Sequence, residues 1–157
     1  MVAMNPSGEN PNETGMKDFY TAFYAAVEHS PAHALFCERV FGKDLSQHGF
    51  VDIEQLELLL RAISMQPGRR VLDLGCGNGL ISEYISDRTG AHVTGLDYIP
   101  EAINQAQKRT AAKSDRLAFI IGDINRLELP ARAFDIVLSI DSMYFSNDYA
   151  STIRNLK

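Results

Sequence analysis

Apolar residues recur at helical spacing through Phe19, Tyr20, Phe23, Tyr24 and Val27, which predicts an amphipathic helix from Lys17 onward. Ser30 followed by Pro31 has the form of an N-cap with proline at the first helical position, and Gly42 supplies a stop, so a second helix is expected between them. Beyond the loop "GKDLSQHGF", Asp52 and Gln55 are spaced as a capping box at the head of a leucine-rich helix that ends before Pro67 and Gly68. From there the period changes. Four short runs rich in β-branched and apolar residues, "RRVLDLG", "AHVTGLD", "RLAFIIGD" and "FDIVLSID", are separated by helical segments near Leu80 to Thr89 and Glu101 to Lys113. Apolar strands alternating with helices point to a parallel sheet covered on both faces. The third and fourth runs are joined by "INRLELPARA", too short and too proline-broken for a good helix, and "NDYASTIRNLK" begins a last helix capped by Asn147 or Asp148.

Composition narrows the setting. With 157 residues, 45% of them hydrophobic and 22% charged, the chain suits a single globular unit, and its first fifteen residues, rich in Asn, Pro, Gly and Ser, read as a disordered tail. No apolar run approaches the ~20 residues of a membrane helix, and no basic-then-apolar leader opens the sequence. The formal charge of -5 leaves no electrostatic footprint for nucleic acid. Cys37 and Cys76 show neither a pairing framework nor metal-ligand spacing, and His29, His33 and His92 have no such spacing with Cys, Asp or Glu. The expectation is a cytoplasmic protein with no nucleic-acid, membrane or metal partner.

The chemistry is concentrated in "VLDLGCGNG", Val71 to Gly79. Gly75, Gly77 and Gly79 alternate in a strand-to-helix turn where the backbone can bend sharply and approach a ligand. Dinucleotide enzymes space their glycines as G-x-G-x-x-G around a pyrophosphate. Here the spacing is tighter, and Asp73 precedes the first glycine, a poor neighbour for a pyrophosphate and a good one for an ammonium group. Acids also close the second and third runs, at "GLDYIP" and "IIGDI", and "FDIVLSIDSMYF" carries Asp141 past the end of the fourth. Ligands of open parallel sheets bind beyond the carboxyl ends of the strands, so this topology gathers Asp73, Asp97, Asp123 and Asp141 along one edge.

Taken in order, these segments resemble the class I S-adenosylmethionine (SAM) dependent methyltransferases, and the resemblance covers Val71 to Phe145. It implies a Rossmann-like open sheet, mostly parallel, with helices on both faces, truncated after the fourth strand and preceded by N-terminal helices. In domain terms, residues 1–15 are the tail, 16–66 a helical lid or extension, and 67–157 an incomplete SAM-binding core. The family's pattern places Asp73, Gly75, Cys76, Gly77, Asn78 and Gly79 near the methionine part of SAM and Asp97 across the ribose hydroxyls. Tyr98 and Ile99 flank the adenine, with Gly122, Asp123 and Ile124 near its amino group. Asp141 becomes the candidate catalytic residue, contacting the acceptor or the cofactor's charged end. Ser142 and Tyr144, with Tyr20, Tyr24, Gln47 and His48 from the N-terminal part, are candidates for the acceptor pocket and its lid.

The implied activity is methyl transfer to a small-molecule acceptor, with S-adenosylhomocysteine (SAH) as product. The chain lacks the Asn/Asp-Pro-Pro-aromatic segment that family members acting on planar amide or base nitrogens carry at this strand end. It also lacks the Tyr-x-x-x-Lys pair of an NAD-dependent oxidoreductase, which stays the third reading behind a noncatalytic SAM-binding or assembly module. Complete family members place further strands beside the fourth. With none there, "FDIVLSI" is an apolar edge open to self-association, so either the chain is the cofactor-binding N-terminal part of a longer protein or another chain covers that edge.

Overall fold

The computed structural model describes residues 11–156. Three helices come first: α1 (Pro11–Val27), α2 (Pro31–Phe41) and α3 (Ile53–Ala62). Their ends are set by the caps in the sequence. The Ser30 hydroxyl accepts the His33 amide at 3.3 Å, and Gly42 closes α2 in the left-handed region at φ 76°. Asp52 and Gln55 form the full reciprocal capping box of α3. One expectation needs correction: Pro11 to Gly15 belong to α1, whereas the remainder of the expected tail, residues 1–10, lies outside the described residues.

The alternating half follows as β1 (Arg70–Leu74), α4 (Leu80–Thr89), β2 (His92–Asp97), α5 (Pro100–Arg109), β3 (Leu117–Ile121), β4 (Ile136–Leu138) and α6 (Tyr149–Asn155). Asp148 rather than Asn147 caps α6, taking the Ala150 and Ser151 amides. The four strands form one parallel sheet in the order β3-β2-β1-β4. Between β3 and β4 there is only a 3-10 turn at Ile124–Arg126, as the proline-broken connection requires.

Alternation along β1 divides the core. Val71 faces Ile85 of α4, Ile103 and Ala106 of α5 and Leu56 and Leu60 of α3, whereas Leu72 and Leu74 face Leu96, Ile124 and Leu127, with Met143 and Leu156 packed alongside. Both faces are therefore covered, and burial of these aliphatic side chains, each worth roughly 1.5 to 3 kcal/mol, holds the sheet together. α1 crosses onto the start of α5, where Tyr24 packs on Ile99 and Ala102 and its carbonyl accepts the Gln105 amide group at 3.0 Å. The fourth strand is shorter than its apolar run. Pairing with β1 stops at Leu138, because Ser142 turns back to donate its hydroxyl to the Leu74 carbonyl and Asp141 adopts a left-handed conformation at φ 51°. This bend carries residues 140–147 across the top of the sheet.

Candidate functional site

The carboxyl ends of β1, β2 and β4, the loop after β3 and the N-terminal segment enclose a cavity of about 490 Å³. That volume suits a ligand of nucleoside size or somewhat larger. Its floor is the glycine loop. The Gly75 and Cys76 amides both donate to the Leu96 carbonyl, at 2.7 and 3.0 Å, and the Gly79 amide returns to the Cys76 carbonyl at 3.0 Å. The Gly77 amide donates to Asp97 Oδ2 at 2.8 Å, while Asp97 Oδ1 takes the Ile99 amide at 2.9 Å. One carboxylate thus fastens the turn after β1 to the turn after β2. The Gly75, Cys76, Gly77 and Gly79 amides are spent inside the protein, so this turn offers fewer donors than the anion cradle a pyrophosphate uses.

Each of the three loop glycines is required by a neighbouring side chain. A Cβ on Gly75 would strike Ser142, one on Gly77 the Tyr24 hydroxyl, and one on Gly79 the Phe119 ring. Gly77 also lies at φ 55°, a conformation costly for any residue with a Cβ.

Two of the expected cofactor residues do not reach the cavity wall. Asp73 sits within β1, paired in register with Gly95, and points under the loop, where it accepts the Ser82 hydroxyl at 2.5 Å. Gly79 is the N-cap of α4 and packs against Phe119 and Ala106 behind the loop. The others, Gly75, Cys76, Gly77, Asn78, Asp97, Tyr98, Ile99, Gly122, Asp123 and Ile124, all line the cavity. Asp123 also performs a local task, taking the Asn125 amide at 2.8 Å.

The opposite wall is N-terminal. Tyr20, Tyr24, Gln47 and His48 line the cavity together with Asp141, Ser142 and Tyr144, so residues distant in sequence meet there. Tyr20 Oη lies 3.4 Å from His48 Nδ1, and its ring is edge-on to His48 and Phe145 at centroid distances of 5.2 and 5.7 Å. Gln47 is committed to its own loop, accepting the Leu45 amide at 2.9 Å, and Ser142 to the Leu74 carbonyl and Ser139. Asp141 Oδ2 receives the backbone amides of Phe50 at 2.7 Å and Val51 at 3.0 Å. The candidate catalytic carboxylate therefore clamps the 46–51 loop over the sheet, and its Oδ1 has no hydrogen-bond partner among the described residues.

Burial governs the site's electrostatics. It raises Asp73 to about 6, against the pull of the Ser82 hydroxyl, and raises Asp97 despite the amides of Ile99 and Gly77. The same desolvation pushes Tyr20 up to about 12 and lifts Tyr24 and the Cys76 thiol well above their ordinary values. His48 is lowered by desolvation and by His33, which favours its neutral form. Among the described residues no group of three His, Cys, Asp or Glu side chains is placed to hold a metal.

Several wall residues had no motif to announce them. Lys17 places Nζ 4.7 Å over the Tyr98 ring, Gly49 packs directly on Asp141, and Asn125 reaches the Phe145 carbonyl at 3.2 Å. Lys17 had a signal in its position three residues before Tyr20 on the same helix. Gly49 and Asn125 had none, since only tertiary folding makes them neighbours of the site.

A parallel sheet with a cavity at its strand ends and an acid, Asp97, closing β2 has the open α/β architecture in which ligands bind beyond the carboxyl ends of the strands. A family model described as a methyltransferase domain matches residues 71–157, more than half of the chain. The chain belongs to that family. Over 135 residues it is 27% identical to phosphoethanolamine N-methyltransferase 1 of Arabidopsis thaliana, covering 86% of this chain and 27% of that protein. Over 100 residues it is 35% identical to the malonyl-[acyl-carrier protein] O-methyltransferase of Serratia marcescens, covering 64% and 37% of the two. The crystal structure of a SAM-dependent methyltransferase from Geobacter sulfurreducens in complex with SAH superimposes with a TM-score of 0.60 at 28% identity, covering 70% of this chain and 45% of that one. The chain spans 27% to 37% of the length of these curated relatives.

Proposed function

We propose that this chain binds SAM and takes part in methyl transfer to a small-molecule acceptor. The observation that carries the reading is the glycine loop with its amides turned inward onto Leu96 and Asp97. Such a floor suits a ligand with a hydroxylated ribose and a cationic amino-acid tail better than one with phosphates. Asp97 retains lone pairs for two ribose hydroxyls, Tyr98 and Ile99 would flank the adenine with Gly122, Asp123 and Ile124, and Gly75 to Asn78 would meet the tail. Asp73 acts from beneath by fixing α4 through Ser82. When bound, SAM supplies an electrophilic methyl carbon on a sulfonium, which the acceptor's lone pair takes as the carbon–sulfur electron pair stays with SAH. The protein's part is to align the acceptor and exclude water, an effect worth roughly 7 to 11 kcal/mol when the geometry is right.

In this reading residues 16–66 form the lid, its 46–51 loop clamped by Asp141, and the residues from 67 onward form the core. Two free thiols, Cys37 and Cys76, both buried, support placing it in a reducing compartment such as the cytoplasm. Among the described residues no helix is long and apolar enough to cross a membrane. Among the described residues β4 pairs only with β1, and its outer edge is where further residues of a longer chain, or a second chain in the assembly reading, would add to the sheet. Size-exclusion chromatography at two concentrations tests that point. Calorimetric titration with SAM, SAH and NAD tests the main reading: SAH is expected to bind and NAD to give no heat, and a preference for NAD overturns it.

A further inference from the structure

We propose that the acceptor end of the cavity takes a small unphosphorylated amine, gripped by aromatic faces and the free oxygen of Asp141, and discriminates against phosphorylated acceptors. This rests on the reading of the cavity as a SAM and acceptor site, and adds the chemical class of the acceptor.

The argument begins with charge. Asp97, Asp123 and Asp141 all line the cavity, while Lys17 is the single lysine or arginine among the described residues that does so. Its ammonium stands over the Tyr98 ring, at the nucleoside end. Residues 1–10 contain neither lysine nor arginine. Phosphate recognition depends on Arg or Lys donors, or on free backbone amides at a turn. Among the described residues the acceptor end offers neither kind of cation, and the Gly75, Cys76, Gly77 and Gly79 amides are already bonded. A phosphate placed there would lose its hydration beside like charge, which disfavours it relative to the same molecule without phosphate.

The surface that is present suits the opposite charge. Tyr144 and Phe145 lie with ring centroids 4.5 Å apart, Tyr20 stands edge-on to Phe145, and His48 closes the group against Tyr20. Such clustered π faces attract ammonium groups, and an acceptor bound in that form passes one proton to Asp141 Oδ1 before its nitrogen lone pair can take the methyl. Tyr144 is 59% exposed, so its ring is available to a ligand rather than consumed by the core. Asp141 spends Oδ2 on the Phe50 and Val51 amides and keeps Oδ1 for a donor such as an amine. Aromatic rings and one unfilled carboxylate oxygen lining the same cavity, with no basic side chain among the described residues at that end, make an amine site.

The test is calorimetric titration of the chain first with SAH and then, in the SAH complex, with two matched pairs: ethanolamine against phosphoethanolamine, and N-methylethanolamine against its phosphate ester. At least one amine is expected to bind about tenfold or more tightly than its phosphate ester. Tyr144→Leu, an exposed change that leaves the fold intact, is expected to weaken that amine several-fold without altering the SAH isotherm. Equal or tighter binding of the phosphate esters overturns the proposal, as does the absence of binding by all four ligands while SAH binds normally. Absence of SAH binding instead overturns the methyl-transfer reading itself.

Discussion

Asp141 and Phe50, 91 residues apart in sequence, are joined by a 2.7 Å hydrogen bond from the Phe50 amide to the Asp141 carboxylate, which also takes the Val51 amide. The bond links the end of the sheet to the loop that roofs the cavity. It is possible only because Asp141 lies at φ 51° and because Gly49, with no Cβ, lets the loop come down onto the carboxylate. Asp141→Ala loses the acceptor and places alanine in the left-handed region, so a loss of about 1 to 3 kcal/mol is expected. Asp141→Asn, which tolerates that backbone and keeps one oxygen, is expected to lose less. Denaturant unfolding gives the energies, and amide hydrogen exchange at Phe50 and Val51 shows whether the loop is released.

Asp97 carries a separate prediction. It is 9% exposed, and both of its oxygens already hold backbone amides, so it is fixed in place before any ligand arrives. Asp97→Ala is expected to weaken SAH binding by about 1 to 3 kcal/mol, roughly tenfold to a hundredfold, with some loss of stability from the two orphaned amides. Calorimetry on the folded variant separates the two effects, and wild-type affinity would remove Asp97 from the ribose.

Much of this was legible in the sequence because it is local. Ser30, Gly42, Asp52 with Gln55, and Asp148 act within a few residues of themselves, and their caps stand where their spacing puts them. The edge position of Asp97 and Asp123 follows from parallel topology alone, since every strand end points the same way. What the sequence hid is tertiary. "FDIVLSID" reads as one long strand, yet the Ser142 hydroxyl draws the chain back to Leu74 and ends pairing at Leu138. Asp73 looks like a ligand-facing acid until the register of β1 turns it towards Ser82. The glycines are legible as positions without side chains, but Ser142, Tyr24 and Phe119 are what exclude the side chains, and none of these is a sequence neighbour.

That exclusion is testable at Gly77. A methyl group there meets the Tyr24 hydroxyl, and alanine at φ 55° adds a backbone cost of about 1 to 2 kcal/mol. Gly77→Ala is therefore expected to destabilise the protein by more than the backbone cost alone. In a Tyr24→Ala background the steric part disappears and only the backbone part remains. A double-mutant cycle measured by denaturant unfolding should give a coupling of about 1 kcal/mol or more between the two positions. Strict additivity would show that α1 is not seated on the loop in solution.

Asp73 makes the site's clearest prediction about pH. Burial raises its carboxyl to about 6 from the ordinary 3.8, so between those values the folded protein holds a proton that the unfolded chain has released. The stability this confers is fully present below the unfolded value and is lost as pH rises through about 6, an effect of up to ~3 kcal/mol. Asp135 runs the other way: Arg70 holds it down at about 2, and its contribution is lost only as the solution becomes strongly acidic. Raw stability profiles mix such terms, but the difference between wild type and Asp73→Asn cancels every group not coupled to Asp73, leaving Asp73 with its neighbours Asp97 and Cys76. The asparagine keeps an oxygen for the Ser82 hydroxyl and never ionises. Relative to wild type, the variant should therefore gain stability steadily from pH 4 to pH 7 and then level off. A difference that stays flat across that range would mean Asp73 ionises at its ordinary value, with water or a ligand beneath the loop.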